Sequence, residues 1–112
     1  MSVPLTQALG PMPSVALPKE IGEPLRALLP ALADLDFFPV SANFSERFFG
    51  NFVVLFQKDG AVSFQLTRDR GQFLVDGMPK DRLEAAGLWR AFNGIRELQP
   101  LLIRLLESQT KP

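Results

Sequence analysis

The sequence predicts an α+β fold, in which a four-stranded antiparallel meander over about residues 37–76 carries an N-terminal helix and two C-terminal helices packed on one face. Residues 51–76 contain three short runs of apolar and β-branched side chains, separated by two turns that contain glycine. This pattern is typical of consecutive antiparallel strands. Leucine-rich segments with helical spacing precede and follow the runs. Helices that bracket a meander bury their apolar stripes against one face of the sheet, so we predict two layers.

Three strands follow directly from the pattern. The segment Asn51–Gln57 is a continuous apolar run that is too short for a typical helix. Ala61–Arg68 alternates between apolar and polar side chains, and Gln72–Asp76 is apolar in its centre. The Asp-Gly pair at 59–60 and the later Gly71 can supply the positive φ angles that tight hairpin turns need. We therefore predict a positive φ at Gly71.

A further strand is predicted within Phe37–Phe44. Its alternation places four side chains on one face of the sheet, and these are Phe38, Val40, Ala42 and Phe44. Pro39 has no N–H group to donate to a sheet, so this strand should lie at an edge or pair on one side only.

The face of the sheet opposite the helices is predicted to carry an apolar strip. Asn51–Gln57 is apolar at its odd-numbered and at its even-numbered positions. If the even-numbered side chains face the core, Val53 and Leu55 must face outward. Leu74 and Phe37 are expected on the same outer face, among serine, glutamine and threonine side chains. An apolar strip with a polar rim often marks a partner surface. The alternative is that the N-terminal part of the chain covers it.

Residues 1–18 contain four prolines and no charged side chain. We interpret them as a proline-rich extended leader that precedes a single domain at residues 19–112, because such proline density excludes a helix or a central strand. Two hypotheses stay open. The leader is loosely ordered, or it lays its apolar side chains on its own domain or on a second subunit.

The helix before the sheet is predicted within Lys19–Leu35, where leucines recur at helical spacing. Pro24 suits the first helical turn, because the missing N–H group is not needed there. Pro30 should kink this helix or divide it into two short ones.

Two helices are predicted after the sheet. The first spans Lys80–Asn93, and Gly94 is its expected C′ residue. The second spans Ile95–Ser108, and Pro100 should kink or open it.

Composition argues against an enzyme. The chain has no histidine, cysteine or tyrosine, which removes the commonest general base and the commonest metal ligands. We find no nucleophile elbow, phosphate-binding loop or dinucleotide fingerprint in the sequence. We therefore expect no enzymatic activity, no cofactor and no metal site.

Charge and hydropathy narrow the choice of partners and location. The 112 residues have no net charge, from twelve basic and twelve acidic side chains, so we expect neither nucleic acid nor a membrane as a partner. No stretch approaches the eighteen or so apolar residues of a transmembrane helix. The absence of cysteine fits a reducing compartment, although it also fits a disulfide-free secreted protein. We expect a cytoplasmic location.

A motif in the meander carries a resemblance to a known group. Phe49-Gly50-Asn51 precedes an apolar strand, and Arg68-Asp69-Arg70-Gly71-Gln72 precedes another apolar run. This arrangement, which covers roughly Asp36–Asp76, resembles a diffuse group of small bacterial proteins. Several of these look like immunity proteins, which are encoded next to polymorphic or contact-dependent toxins. The resemblance implies a small protein that neutralises a toxin by binding it and occluding its active site.

These observations favour a protein-binding module over other functions. The partner is expected to be another protein, such as a toxin, or a second copy of the chain in a homodimer; nucleic-acid binding is the less favoured alternative. The candidate partner-binding residues are Arg70, Arg47, Phe49, Val53, Leu55 and Leu74. Arg70 has two possible roles, either pairing with Asp69 within the turn or recognising a carboxylate or phosphate from a rigid hairpin.

Overall fold

A computed structural model of the chain describes residues 15–45, 50–58 and 62–110. Its sheet has four strands, and their bounds are β1 Phe38–Ser45, β2 Asn51–Lys58, β3 Val62–Asp69 and β4 Gln72–Asp76. The order is β1-β2-β3-β4, and each neighbouring pair is antiparallel. The predicted meander is confirmed. Strand β1 lies at the edge, as its proline requires.

Four helices flank the sheet in the described part of the chain. Two short ones precede it, α1 Lys19–Gly22 and α2 Leu28–Asp34. Two follow it, α3 Lys80–Ala85 and α4 Ile95–Thr110. The α+β class is therefore confirmed, with helices on the N-terminal and C-terminal sides of the meander.

The core lies between the helices and one face of the sheet, which we call the inner face. Its buried side chains form one cluster, in which strand residues meet the leucines of α2 and α4. The strand contributions are Phe52, Val54, Phe56, Phe64, Leu66, Phe73 and Val75. The Phe64 ring stacks on that of Phe56 with centroids 5.2 Å apart, and it packs against Phe37 at 5.6 Å. The even-numbered side chains of β2 therefore face the core, as predicted.

The predicted N-terminal helix is divided, but the break does not occur at Pro30. The interruption falls at residues 23–27, between α1 and α2. Pro24 lies in this break rather than in a first helical turn. Pro30 is the third residue of α2, where a backbone N–H group has no partner within the helix, so its absence costs little.

The helix predicted over residues 80–93 is wrong beyond α3. Gly87 has φ +79°, and its N–H group donates to the Glu84 carbonyl at 3.1 Å. The next N–H group, of Leu88, donates to the Leu83 carbonyl at 2.8 Å. This pair of bonds is a Schellman motif, and the buried side chains of Leu83 and Leu88 are its usual apolar contact. Gly87 therefore ends the helix.

The segment after Gly87 runs along the edge of β4 instead of continuing as a helix. Phe92 exchanges two backbone hydrogen bonds with Phe73, at 2.7 and 2.8 Å. Trp89 is left 48% exposed. Gly94 precedes α4 and does not end a helix, which corrects its predicted role.

A β-bulge interrupts the alternation of β1. Pro39 pairs with Phe56 and Ser41 pairs with Leu55, so Val40 is an extra residue on this strand. An extra residue shifts every side chain before it to the opposite face.

The bulge overturns half of the predicted side-chain pattern. Ala42 and Phe44 pack against the core as expected. Phe37, expected on the outer face, is 1% exposed in the core. Phe38 pairs with Gln57 and so shares the outer face, although the simple alternation placed it with Ala42.

The last helix is continuous through Pro100. Its leucines face the core as the spacing predicts, with Leu98, Leu102 and Leu106 fully buried. No helix in the described ranges is long and apolar enough to cross a membrane.

The first described residues tie the leader to the domain. The Val15 N–H group donates to the Pro39 carbonyl at 2.9 Å, and the Leu17 side chain packs against the core. The rest of the predicted leader, residues 1–14, lies outside the described residues.

Candidate protein-binding face

The sheet face that points away from the core, here called the outer face, brings three predicted site residues together. Val53 pairs with Thr67, and Thr67 pairs with Leu74, so these side chains form one row across three strands. Leu55 lies two residues further along β2 on the same face. We call Val53, Leu55, Thr67 and Leu74 the outer-face patch. All four are half-buried, and none belongs to the core cluster.

The outer face is poor in charge. From the strand pairing, its other positions are mostly serine, asparagine and glutamine. These residues are Ser41, Asn43, Ser45, Asn51, Gln57, Ser63, Gln65 and Gln72. The two charged side chains among the paired outer positions, Asp69 and Asp76, stand at opposite ends of the β3–β4 ladder. Depletion of charge around an apolar centre is the composition found at the centre of protein interfaces.

A groove of about 380 Å³ runs beside β4 along this face. Thr67 and Leu74 line it from the sheet together with Asp69 and Asp76, and the exposed Trp89 and its neighbour Arg90 line it from the segment after α3. The outer-face patch therefore continues into a groove with an aromatic wall.

Neighbouring contacts hold that wall in place. The Lys80 ammonium lies 5.4 Å from the Trp89 ring centroid, and the Arg90 guanidinium lies 3.9 Å from the centroid of Phe92. Both are cation–π distances. Since Phe92 is bonded to the edge of β4 through the Phe73 backbone, the groove wall is anchored to the sheet itself.

The β3–β4 turn is closed by an asparagine from a neighbouring strand. Arg70 and Gly71 have φ +54° and +81°, the combination of a two-residue hairpin turn with positive φ at both central residues. The positive φ predicted at Gly71 is confirmed. The Asn51 side chain accepts a hydrogen bond from the Arg70 N–H group at 2.8 Å and donates one to Asp69 Oδ1 at 3.1 Å.

We call the Asn51 side chain with its two hydrogen bonds the clamp. It acts on the backbone of Arg70 and not on its guanidinium group. Its backbone N–H group is fixed by Asn51, while its side chain is exposed at the tip of the turn. The Asp69 carboxylate is engaged by the amide of Asn51, an interaction that sequence reasoning did not anticipate. The guanidinium of Arg68 lies over the Phe73 ring at 5.8 Å, towards the core side.

The remaining predicted site residues, Arg47 and Phe49, lie outside the described residues. The residues that bracket their loop are Ser45 and Asn51, which pair with each other. Since Asn51 also contacts the Arg70 turn, the loop begins and ends at the same end of the sheet as Arg70.

Sequence reasoning missed Trp89 as a surface residue, because it assigned residues 80–93 to one helix. A signal was present. A glycine followed directly by leucine, four residues after another leucine and inside an apparent helix, fits the Schellman pattern. That pattern would have ended the helix at Gly87 and released Trp89 to the surface.

The described residues contain no group of three or more histidine, cysteine, aspartate or glutamate side chains that could hold a metal ion. No protein-family model matches the chain, and neither a curated protein nor a solved structure matches it. The candidate face therefore rests on its own geometry.

Proposed function

We propose that the protein is a non-enzymatic protein-binding module and that the outer-face patch, with the Trp89 groove, is its binding surface. The observation that carries this proposal is a charge-poor, partly apolar sheet face on the side opposite the core. A sheet needs one apolar face to fold against helices. The apolar side chains on the second face add nothing to that core.

The energetics favour a partner made of protein. Completing the burial of a half-buried leucine or valine contributes on the order of 1 kcal/mol, and the patch offers Val53, Leu55 and Leu74 for this. The exposed Trp89 is of the residue type that most often dominates binding energy. Uncharged amide and hydroxyl groups around the patch can form hydrogen bonds with polar groups at the rim of a partner's contact surface.

The specific form of the proposal is an immunity-like protein that neutralises a toxin by binding it. The support comes from the resemblance of the FGN and RDRGQ segments and from the geometry of the turn between β3 and β4. Because Asn51 fixes the Arg70 backbone, the exposed guanidinium starts from a rigid point beside the outer-face patch. The planar guanidinium of arginine can bind a carboxylate through two parallel hydrogen bonds.

A capture experiment with matched variants tests the proposal. The full-length protein is immobilised, the protein retained from lysate of its own source cells is identified and purified, and the affinity is measured by calorimetry. Leu55→Ser and Trp89→Ala should each weaken binding at least about tenfold, which is about 1.4 kcal/mol. Arg96→Ala, an exposed position on α4 on the other side of the molecule, is the control and should leave the affinity unchanged.

Two outcomes would overturn the assignment. If the Arg96 variant loses as much affinity as the outer-face variants, the surface is elsewhere. If Leu55→Ser and Trp89→Ala bind normally while melting at the usual temperature, the outer face is not a binding surface. For the toxin form, the captured partner must be toxic when expressed alone and harmless when expressed with this protein.

The second candidate is a structural homodimer that uses the same face. The charge-poor outer face favours it, because two copies can meet there with like charges only at Asp69 and Asp76. Light scattering should then give twice the mass of the chain. Leu55→Asp should return the mass to that of a monomer with its secondary structure intact.

A further inference from the structure

We propose that the groove beside β4 binds an extended segment of the partner protein, which pairs its backbone with Val75 through three residues that are basic, small and apolar in that order. This inference rests on the proposed function, because it names the kind of segment that the binding surface takes. Three features of the described residues support it: an unpaired position on the edge of β4, the side chains that line the groove, and a carboxylate at its end.

The first feature is the unpaired position on the edge of β4. Phe73 exchanges two backbone hydrogen bonds with Phe92, so its N–H and C=O groups point away from β3. Backbone groups alternate in direction along a strand, and β4 pairs with β3 without a bulge. The N–H and C=O groups of Val75 therefore also point away from β3, and no described residue bonds them.

These two backbone groups belong to a residue that is almost fully buried. Val75 is 4% exposed, and it is among the residues that line the groove. Buried backbone N–H and C=O groups are nearly always paired in folded proteins. An extended backbone in the groove pairs with both groups, which is how a peptide adds a strand to the edge of a sheet.

The length of the open edge favours an antiparallel segment. Phe92 already takes the place beside Phe73. On the other side of Val75, the Gly77 N–H group is bonded to Asp76 Oδ1 at 2.8 Å. One residue of an antiparallel strand can exchange both bonds with the residue opposite, whereas a parallel strand needs two residues for them. We call the partner residue opposite Val75 the central residue.

Strand geometry determines where the side chains of the segment lie. The side chain of the central residue points to the inner face, as that of Val75 does. There it meets the buried Leu88, so it must be small. The two flanking side chains point to the outer face, one beside Leu74 and the other beside Asp76.

The second feature is the apolar lining of the groove. The flanking side chain beside Leu74 also faces Trp89, which is 48% exposed on the opposite wall. An apolar side chain in this place removes both surfaces from water, so we assign it to leucine or a residue of similar size. In an antiparallel segment this residue follows the central one in sequence.

The third feature is the Asp76 carboxylate at the end of the groove. No described cation forms an ion pair with it. Arg90, a cation that also lines the groove, holds its guanidinium over the Phe92 ring. A lysine or arginine on the segment can therefore form a charge-assisted hydrogen bond with Asp76. This residue precedes the central one, so the segment is basic, small and apolar from its N-terminal to its C-terminal end.

A peptide titration into the isotope-labelled full-length protein tests the inference. The probe is the acetylated and amidated peptide Ser-Lys-Ala-Leu-Ser. Its binding is followed through the amide signal of Val75 and through the fluorescence of Trp89, the chain's one tryptophan. Both signals should shift to saturation, with a dissociation constant of about 1 mM or lower. An unchanged Val75 amide at about 5 mM peptide would overturn the proposal.

Modified peptides separate backbone pairing from side-chain contact. A methyl group on the alanine nitrogen removes the N–H group that bonds the Val75 carbonyl, so the affinity should fall at least about tenfold. The same methyl group on the leucine nitrogen, whose N–H group points away from β4, should reduce the affinity much less. Equal losses from the two methyl groups would overturn the backbone pairing.

Asp76→Asn tests the basic position, because asparagine keeps an oxygen for the Gly77 N–H group. The variant should bind the lysine peptide about threefold more weakly. A peptide with norleucine in place of lysine has the same length without the charge, and it should bind the variant and the native protein equally. Equal losses for both peptides would overturn the basic position of the segment.

Hydrogen exchange in the protein alone identifies any other occupant of the groove. In the free full-length chain, the Val75 amide should exchange at least about tenfold faster than the Phe73 amide, which is bonded to Phe92. Slow exchange in dilute protein would mean that another part of the chain already pairs with Val75. Exchange that slows as the protein concentration rises would assign the groove to a second copy. Either result overturns the proposal.

The inference and the proposed function fail separately. If the peptide leaves Val75 unchanged while Leu55→Ser still weakens binding of the captured partner, the outer face binds a protein without adding a strand. If the peptide binds as expected while Leu55→Ser and Trp89→Ala bind the captured partner normally, the groove takes extended segments and the proposed function is wrong.

Discussion

The two faces of one strand show how differently the same kind of residue is used in this molecule. In β2, Phe52, Val54 and Phe56 are at most 2% exposed and lie in the core, whereas Val53 and Leu55 are half-buried on the opposite face. All five are apolar. Folding against the helices accounts for the first three. The other two are not needed for that core, and the proposed function concerns the face that carries them.

The two faces also differ in the contacts that stabilise them. The inner face is fixed by ring contacts, such as those of Phe64 with Phe56 and Phe37. The outer face is fixed at one end by a polar clamp, the side chain of Asn51 on the Arg70 turn. Substitutions in these contacts should therefore lower the stability by different amounts, and four pairs of substitutions measure the difference.

The largest effect is expected on the inner face. Phe64→Ala should lower the free energy of unfolding by about 3–5 kcal/mol, because it opens a cavity between two packed rings. The matched outer-face change, Leu55→Ala, should cost below about 1 kcal/mol. Urea unfolding of both variants gives the comparison. Equal losses would mean that the outer face is as fully packed in the free protein as the core.

The next largest loss of stability is expected in the turn between β3 and β4. Gly71→Val should cost about 1–3 kcal/mol, since a branched side chain is strained at a positive φ. The control is Gly22→Ala, where φ is ordinary and an added Cβ meets nothing within 4 Å. Thermal melting distinguishes them. An unchanged melting temperature for Gly71→Val would show that the hairpin closes in another way.

A smaller effect is expected from the clamp. Asn51→Ala removes the amide that bonds Asp69 and the Arg70 N–H group, and at this exposed turn the loss should be about 1 kcal/mol. Gln57→Ala, at the other end of β2, is the control and should be close to neutral. Hydrogen exchange at the Arg70 amide checks the mechanism, because it should become faster in Asn51→Ala and stay unchanged in the control.

The clamp also links the FGN and RDRGQ segments to each other. Gly50 has φ +69°, and the following Asn51 is the residue that closes the RDRG turn. Both halves of the motif thus have a structural reason to occur together. These contacts account for the backbone of the turn, and the exposed Arg70 side chain is the part of the motif that the proposed function uses.

Most of the sheet could be predicted from local pattern, because alternation and turn glycines act over a few residues. The bounds of β4 were predicted without error, and β2 and β3 each end one residue later than expected. Strand β3 begins at Val62, and Ala61, its predicted first residue, lies outside the described residues. The bulge at Val40 could not be predicted this way. It depends on how β1 pairs with β2, and the sequence of β1 alone does not specify that register.

The residues of the candidate site also differ in whether the local pattern predicts them. Val53, Leu55 and Leu74 were predicted from parity alone, and the strand register brings them together. Thr67 was placed on this face but was not named as a site residue. Trp89 was missed because the predicted helix was continued past Gly87. Trp89 reaches the surface only through the helix end at Gly87 and the attachment of Phe92 to the edge of β4.

The smallest change in stability is expected from Leu74→Thr, which keeps a side chain suited to a strand but removes apolar surface from the patch. Its partner in the comparison is Leu66→Thr, a fully buried position on the inner face of the neighbouring strand. There the loss should be about 2–5 kcal/mol, from the lost packing and from a hydroxyl left in the core.

For Leu74→Thr the loss should stay within about 1 kcal/mol, because this side chain is half-buried and lies outside the core. The same substitution should weaken partner binding at least about tenfold, or about 1.4 kcal/mol. Unfolding and binding are measured on the same preparation. A loss of stability as large as that of Leu66→Thr would make the patch part of a permanent core, and neither binding proposal would survive that result.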